Sequence, residues 1–288
     1  MAGPVFRFAP SPTGRLHRGH AFSALTSWRA CRAVGGVFRL RIEDIDRIRC
    51  RPEFEAGVIE DLTWLGLDWD GPVLRQTERG GAYEAALDRL VEEGLAYRCF
   101  RTRREVAEAM TRAPHGGEAI FFGKRLPAQE ETTRRAAGEA FAWRLDVREA
   151  AKRAGPLGFL ETGAGPAGET GRQAAVPGSA GDIVLARRDI GVAYHLAVVV
   201  DDAFQGVTTV VRGCDLFGAT HVQRLIQALL GLPAPTYHHH RLLVGTDGKR
   251  YAKRDRAETL QALREQGVTP AQLIAELELD RYRRSFRR

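Results

Sequence analysis

Apolar positions come in short runs over the first ninety-odd residues, with glycine or proline between them. Val5–Ala9 is compact and largely apolar and predicts a strand. Pro10, Pro12 and Gly14 then break the chain, and a helical stretch runs from about Arg18 to Val34, where Gly35 and Gly36 stop it. Val37–Ile42 alternates in strand fashion. Pro52 opens another helix, with Gly66 near its end. Strand–helix–strand–helix order predicts βαβ units and a parallel sheet.

From about Tyr97 to Asp182 the pattern changes to Ala, Gly, Glu and Arg, and Gly155–Gly181 approaches low complexity. Such a stretch buries little apolar surface, so an inserted subdomain with a loose Gly/Ala-rich loop is expected. Asp182–Ala186, His195–Val200 and Thr208–Arg212 then predict strands. Phe217–Leu230 predicts an amphipathic helix ended by Gly231 and Pro233, and His239–Val244 a last strand before a glycine-bearing loop and two short helices. The expected division is 1–98 and 182–244 as the two halves of a main domain, 99–181 as the insert, and 245–288 as the loop with a short helical end.

At 288 residues the chain has room for one large domain or two modest ones. Its 44% hydrophobic and 27% charged residues are globular proportions and argue against global disorder. No apolar run reaches the roughly 18 residues of a membrane helix, and the N-terminus lacks the pattern of a signal peptide. A cytoplasmic protein is expected, with no membrane partner. Net charge is +7, and 39 of the 43 basic residues are arginine, a balance that favours a polyanion such as RNA. Cys31, Cys50, Cys99 and Cys214 form no CxxC pair, so no disulfide framework is expected.

Two strings carry chemistry. The first runs from Arg7 to His20, RFAPSPTGRLHRGH, at a strand end, a turn and a helix start. Ligands of open α/β sheets bind beyond such strand ends, and a helix N-terminus offers N–H groups to phosphate. His17 and His20, three apart, share one helical face and can each donate to a phosphoryl oxygen. Gly19 leaves room for adenine or ribose. The second string, Gly245 to Arg254, sets Lys249, Arg250, Lys253 and Arg254 in a glycine-bearing loop suited to clamp a triphosphate.

Together these strings resemble the HIGH and KMSKS signatures of class I aminoacyl-tRNA synthetases. RFAPSPTGRLHRGH, RIEDIDRIRCRPEF and AVVVDDAFQGVTTVVRGCDLFGATHVQRLIQALLGLPAPTYHH are similar to the glutamyl-tRNA synthetase catalytic domain. The resemblance implies a Rossmann-like α/β fold with an inserted α/β subdomain. Only 35 residues follow Lys253, which leaves no room for an anticodon-binding domain. This short architecture resembles the glutamyl-Q tRNA(Asp) synthetases. That family activates L-glutamate with ATP without needing tRNA, then transfers it to the queuosine base at the wobble position of tRNA(Asp). The implied partners are therefore L-glutamate, ATP with Mg²⁺, and queuosine-bearing tRNA(Asp); a monomer is expected.

The resemblance places Arg7, Phe8, Ala9, Pro10, Ser11, Glu43, Tyr194 and Arg212 at the glutamate pocket, with His17, Gly19, His20 and Lys253 on ATP. The residue types suit these roles: Arg7 and Arg212 for the side-chain carboxylate, Glu43 for the ammonium, and Tyr194 as a hydroxyl donor.

Two departures stand out. The signature loop, usually KLSK, reads Arg250-Tyr-Ala-Lys253. Many relatives carry a CxC pair and a YxxxC segment that hold zinc; here these positions read Cys99-Phe-Arg101 and Phe121-Phe-Gly-Lys-Arg125. One thiolate cannot hold structural zinc, so no metal is expected. Phe100, Phe121 and Phe122 with Arg101 and Arg125 are read as the replacement. Of His238–His240, one is expected to pack inside and the others to face solvent or ATP. The terminal RYRRSFRR suits a phosphate backbone and base stacking, or a frayed end. The alternatives are a truncated glutamyl-tRNA synthetase that charges a tRNA 3′ end, and a non-catalytic RNA-binding paralogue.

Overall fold

A computed structural model describes residues 3–112, 119–187, 191–243 and 258–277. Strand β1 (Val5–Phe8), helix α1 (Arg18–Ala33), β2 (Val37–Ile42), α2 (Pro52–Trp64), the short β3 (Leu74–Arg75) and α3 (Gly80–Glu92) follow one another, the first four as the pattern predicts. Pro52 occupies the first turn of α2, where its missing N–H costs nothing. Then come β4 (Ala96–Cys99), α4 (Arg103–Glu108), the strand pair β5 (Thr111–Arg112) and β6 (Ala119–Ile120), α5 (Ala128–Ala136), β7 (Ala142–Leu145) and α6 (Val147–Ala154). The hairpin β8 (Gly158–Glu161) and β9 (Gly171–Ala174) precedes β10 (Val184–Arg187) and β11 (Gly191–Val192). The chain continues through α7 (Tyr194–Phe204), β12 (Thr209–Gly213), α8 (Phe217–Leu229), β13 (Thr236–His240), α9 (Leu260–Glu265) and α10 (Pro270–Glu276).

The main sheet runs β3-β2-β1-β12-β13-β8-β9, with its first six strands parallel and β9 antiparallel. Its order turns outward from β1 toward both edges, so the C-terminal ends of β1 and β12 mark the switch point where ligands usually bind in such sheets. A second, antiparallel sheet has the order β11-β10-β7-β4. Apolar residues of α1, α2, β1 and β2 pack into one core with Leu260, Leu263, Leu273 and Leu277 of the C-terminal helices. A second core gathers Leu90, Leu145, Leu185, Leu196 and Leu225. Among the described residues no helix is long and apolar enough to cross a membrane.

Three expectations are corrected. His195–Val200 belongs to α7, because a short apolar run buried on all sides has no period to separate helix from strand. The last strand lies earlier, at Thr236–His240. The stretch expected to be loose carries the β8–β9 hairpin, and β8 joins the main sheet beside β13. Phe159 anchors it, with its ring centroid 5.8 Å from that of Phe217 and 5.6 Å from that of Tyr237. One well-placed aromatic outweighs a poor average composition.

Candidate active site

β1 and β2 pair in register, Arg7 beside Arg39, so their C-terminal ends lie together. From them Arg7, Arg41 and Glu43 meet Asp202 of α7 in a buried ionic cluster. Arg7 Nε donates to Asp202 Oδ1 at 3.2 Å and Arg41 Nη1 to the same oxygen at 2.7 Å. Arg41 Nη2 donates to Glu43 Oε1 at 3.2 Å. Arg41 has no exposed surface, and the other three are buried. Burial holds Glu43 above the ordinary carboxylate range, outweighing the nearby Arg41 and Arg7. Burial also opposes the charge of Asp202, but there Arg7, Arg41 and Arg212 prevail and its acidity is raised.

The second guanidinium comes from β12. Arg212 donates from Nε to His239 Nε2 at 3.1 Å, from Nη1 to Gln223 Oε1 at 2.9 Å and from Nη2 to Thr220 Oγ1 at 2.7 Å. Nη1 also reaches the Tyr194 hydroxyl oxygen at 3.5 Å, so the hydroxyl proton points elsewhere. Arg7 meanwhile donates to the carbonyl of Val211, the neighbour of Arg212. Two cations and one carboxyl whose pKa burial raises thus gather at the ends of β1, β2 and β12, a donor set matched to a molecule with two carboxylates and an ammonium.

The turn from Ala9 to His17 follows β1 directly and leads into α1. Phe8 turns its ring into the core, and Pro10 is buried while its carbonyl accepts the Glu43 N–H at 3.0 Å. Ala9 is partly exposed and Ser11 exposed. His17 caps α1: its Nδ1 accepts the Gly19 N–H at 3.1 Å, and His20 Nδ1 accepts the His17 N–H at 3.2 Å. In both rings an accepting Nδ1 leaves the proton on Nε2. The ring centroids are 3.8 Å apart. A Cβ at Gly19 would lie 2.9 Å from His17 Cε1, so glycine preserves the ring's position as well as space for a ligand. Lys249, Arg250, Lys253 and Arg254 lie outside the described residues, as does the 281–288 tail. The chain re-enters beside the turn: Leu260 N donates to Leu16 O at 2.9 Å, and Arg18 pairs with Glu258 at 2.7 Å.

Residues 5–284 match the family of class I tRNA synthetases (E and Q), catalytic domain. A glutamyl-Q tRNA(Asp) synthetase of Rhodobacter capsulatus is 47% identical over 93% of this chain and 98% of its own length. The chain belongs to the glutamyl-Q tRNA(Asp) synthetases. The Nocardia farcinica member is 44% identical, covering 95% of this chain and 83% of its own. Among solved structures, the glutamate-tRNA synthetase of Elizabethkingia anophelis superposes with a TM-score of 0.73 at 26% identity, over 88% of this chain. The match spans about half of that longer enzyme, 53%. Methionyl-tRNA synthetase of Mycobacterium tuberculosis, at 10% identity and a TM-score of 0.61, shares the fold.

This glutamyl-Q synthetase family member is a ligase with the class I catalytic fold. At the zinc-family positions, Cys99 packs with Tyr97, Val106 and Phe121 in an apolar cluster. Asp182 accepts the Tyr97 hydroxyl and the Gly123 N–H, both at 2.8 Å. Phe100 and Arg101 line one cavity with Cys99 and Phe121, whereas Phe122 lies under Arg148 at 3.9 Å and Arg125 sits 5.8 Å from Tyr97. One thiol among aromatic rings and guanidiniums does not fit a tetrahedral zinc site. Among the described residues no group of three or more His, Cys, Asp or Glu is placed to hold a metal.

The sequence reading missed Arg41, Asp202 and Glu161 as partners of the candidate site residues. A signal for Asp202 was present, since Asp201 and Asp202 end a run of apolar residues and buried carboxylates require cations. For His238–His240 the expectation fails: all three are buried. His238 meets Thr162, His239 meets Glu161 and His240 meets Ser23.

Proposed function

We propose that the enzyme activates L-glutamate with ATP, without needing tRNA, and transfers it to the queuosine base at the wobble position of tRNA(Asp). The observation that carries this reading is the gathering of Arg7 and Arg212 on the adjacent parallel strands β1 and β12, with Glu43 just after β2 and the His17–His20 turn following β1.

In this reading the two guanidiniums hold the side-chain carboxylate and Tyr194 donates to it. Glu43 pairs with the ammonium, whose charge opposes the burial that raises the Glu43 pKa. The α-carboxylate oxygen then attacks the α-phosphorus in line; the bond to the bridging oxygen breaks and pyrophosphate leaves. His17 and His20, each protonated on Nε2, donate to the phosphoryl oxygens as charge builds, and Lys253 adds a cation. Magnesium bound to the triphosphate substrate would supply further charge neutralisation. For the nucleic acid, a cleft of about 370 Å³ is lined by Tyr83, Phe141, Trp143, Arg47 and Arg187, which offer ring faces for a base and cations for phosphate.

The test measures glutamate-dependent ATP–pyrophosphate exchange without tRNA, then alkali-labile [¹⁴C]glutamate on tRNA(Asp) with and without queuosine. Exchange plus queuosine-dependent labelling is expected. Labelling of a 3′ end regardless of queuosine identifies a truncated glutamyl-tRNA synthetase. Absence of exchange identifies a non-catalytic RNA-binding protein.

A further inference from the structure

The β8–β9 hairpin brings one more carboxylate to the site. Glu161, at the end of β8, and His239 of β13 have no exposed side-chain surface. Glu161 Oε1 accepts two backbone N–H groups, those of His239 and Gly163, each at 2.8 Å. A Cβ on Gly163 would lie 2.2 Å from the His239 carbonyl oxygen, so only glycine permits this approach. Glu161 Oε2 stands 2.5 Å from His239 Nδ1. The other face of that imidazole accepts the Nε–H of Arg212 at 3.1 Å.

From this geometry we infer that Glu161 and His239 are positioning residues that aim Arg212 at the substrate carboxylate. The inference rests on the reading of Arg212 as a carboxylate ligand. Arginine carries only N–H donors, so His239 Nε2 must keep its lone pair to accept one. It does so only while the ring proton resides on Nδ1, and the Glu161 carboxylate, an acceptor only, holds it there. With Nε fixed by His239, Nη1 by Gln223 and Nη2 by Thr220, the guanidinium plane has one orientation.

Glu161→Gln probes this directly. The two backbone N–H groups require an acceptor at the Oε1 position, so the amide oxygen must lie there. The amide NH₂ then faces His239 Nδ1 as a donor, which drives the ring proton to Nε2, against Arg212. The same logic underlies the loss when a triad carboxylate becomes an amide.

The measurements are L-glutamate and ATP dissociation constants by calorimetry for wild type, Glu161→Gln, Arg212→Lys and the double variant, with histidine ¹⁵N NMR for the tautomer. In Glu161→Gln, glutamate binding is expected to weaken about tenfold or more, with ATP binding changed less than about twofold. The His239 proton is expected to move from Nδ1 to Nε2. Added to Arg212→Lys, which lacks the Nε–H, the amide is expected to weaken glutamate no further. Unchanged glutamate affinity in Glu161→Gln, additive losses, or an equal loss for ATP would overturn the inference. Wild-type glutamate binding by Arg212→Lys would instead overturn the reading of Arg212, and the role of the dyad with it.

Discussion

Arg41 and Asp202 stand 161 positions apart in the chain and 2.7 Å apart in space, both buried. Asp202 is the anion that lets two arginines occupy one dry corner, since Arg7 leans on the same oxygen. Asp202→Asn keeps the shape and removes the charge. Breaking a buried pair from one side leaves a cation uncompensated, so unfolding free energy should fall by about 3–5 kcal/mol in urea titration. Glu258→Gln, at a partly exposed pair with Arg18, should cost less than about 1 kcal/mol. Equal losses would show that the buried cluster is not special.

Gly19→Ala should leave the fold intact, because the position is at the surface end of α1, yet displace the His17 ring by its new Cβ. Misplacing a donor by a fraction of an ångström at a reacting phosphate should cut pyrophosphate exchange about tenfold or more, with glutamate affinity unchanged. An exchange rate equal to wild type would remove His17 from the chemistry.

Acid should destabilise the enzyme through its buried histidines. Burial pushes His238 and His240 down to about 4, against an unfolded value of about 6.5. A depressed folded pKa means the stabilising contribution is fully present above the unfolded value and is lost as pH falls toward the folded one. Each ring should therefore give up about 2 kcal/mol between pH 7 and pH 5. Chemical denaturation across that window should show the slope, and a His238→Asn, His240→Asn double variant should reduce it, leaving the part due to His195, which burial also pushes down to about 4.

Purified protein should contain far less than one zinc per chain by elemental analysis, and a chelator should not move its melting temperature. Cys99→Ala should cost about 1 kcal/mol or less, the loss of a small buried group rather than of a metal ligand. Stoichiometric zinc would contradict this.

The local parts of the fold were legible because their signals are local. Pro52 and the glycine pair at 35 and 36 punctuate the chain where helices begin and end, and β1, α1, β2 and α2 fall close to expectation. Arg7, Glu43, Tyr194 and Arg212 were named through resemblance, and the structure ties Glu43 to Arg41, Arg7 to Asp202 and Tyr194 to Arg212. What sequence could not display is who partners whom at long range. The pairing of Arg7 and Asp202 spans 195 positions, and that of His239 and Glu161 spans 78. The β8–β9 hairpin was hidden for the same reason, since its order comes from Phe159 meeting residues of α8 and β13.

That hairpin threads the two sheets together. The polypeptide leaves the large sheet after β3, builds β4 and β7 of the small one, comes back to lay down β8 and β9, and departs again for β10 before returning through β12. Neither layer is a removable cassette, and a single protease cut between them would leave both pieces interlocked. Heating should accordingly melt the molecule in one cooperative transition, without a half-molten stage in which the small sheet has come undone alone.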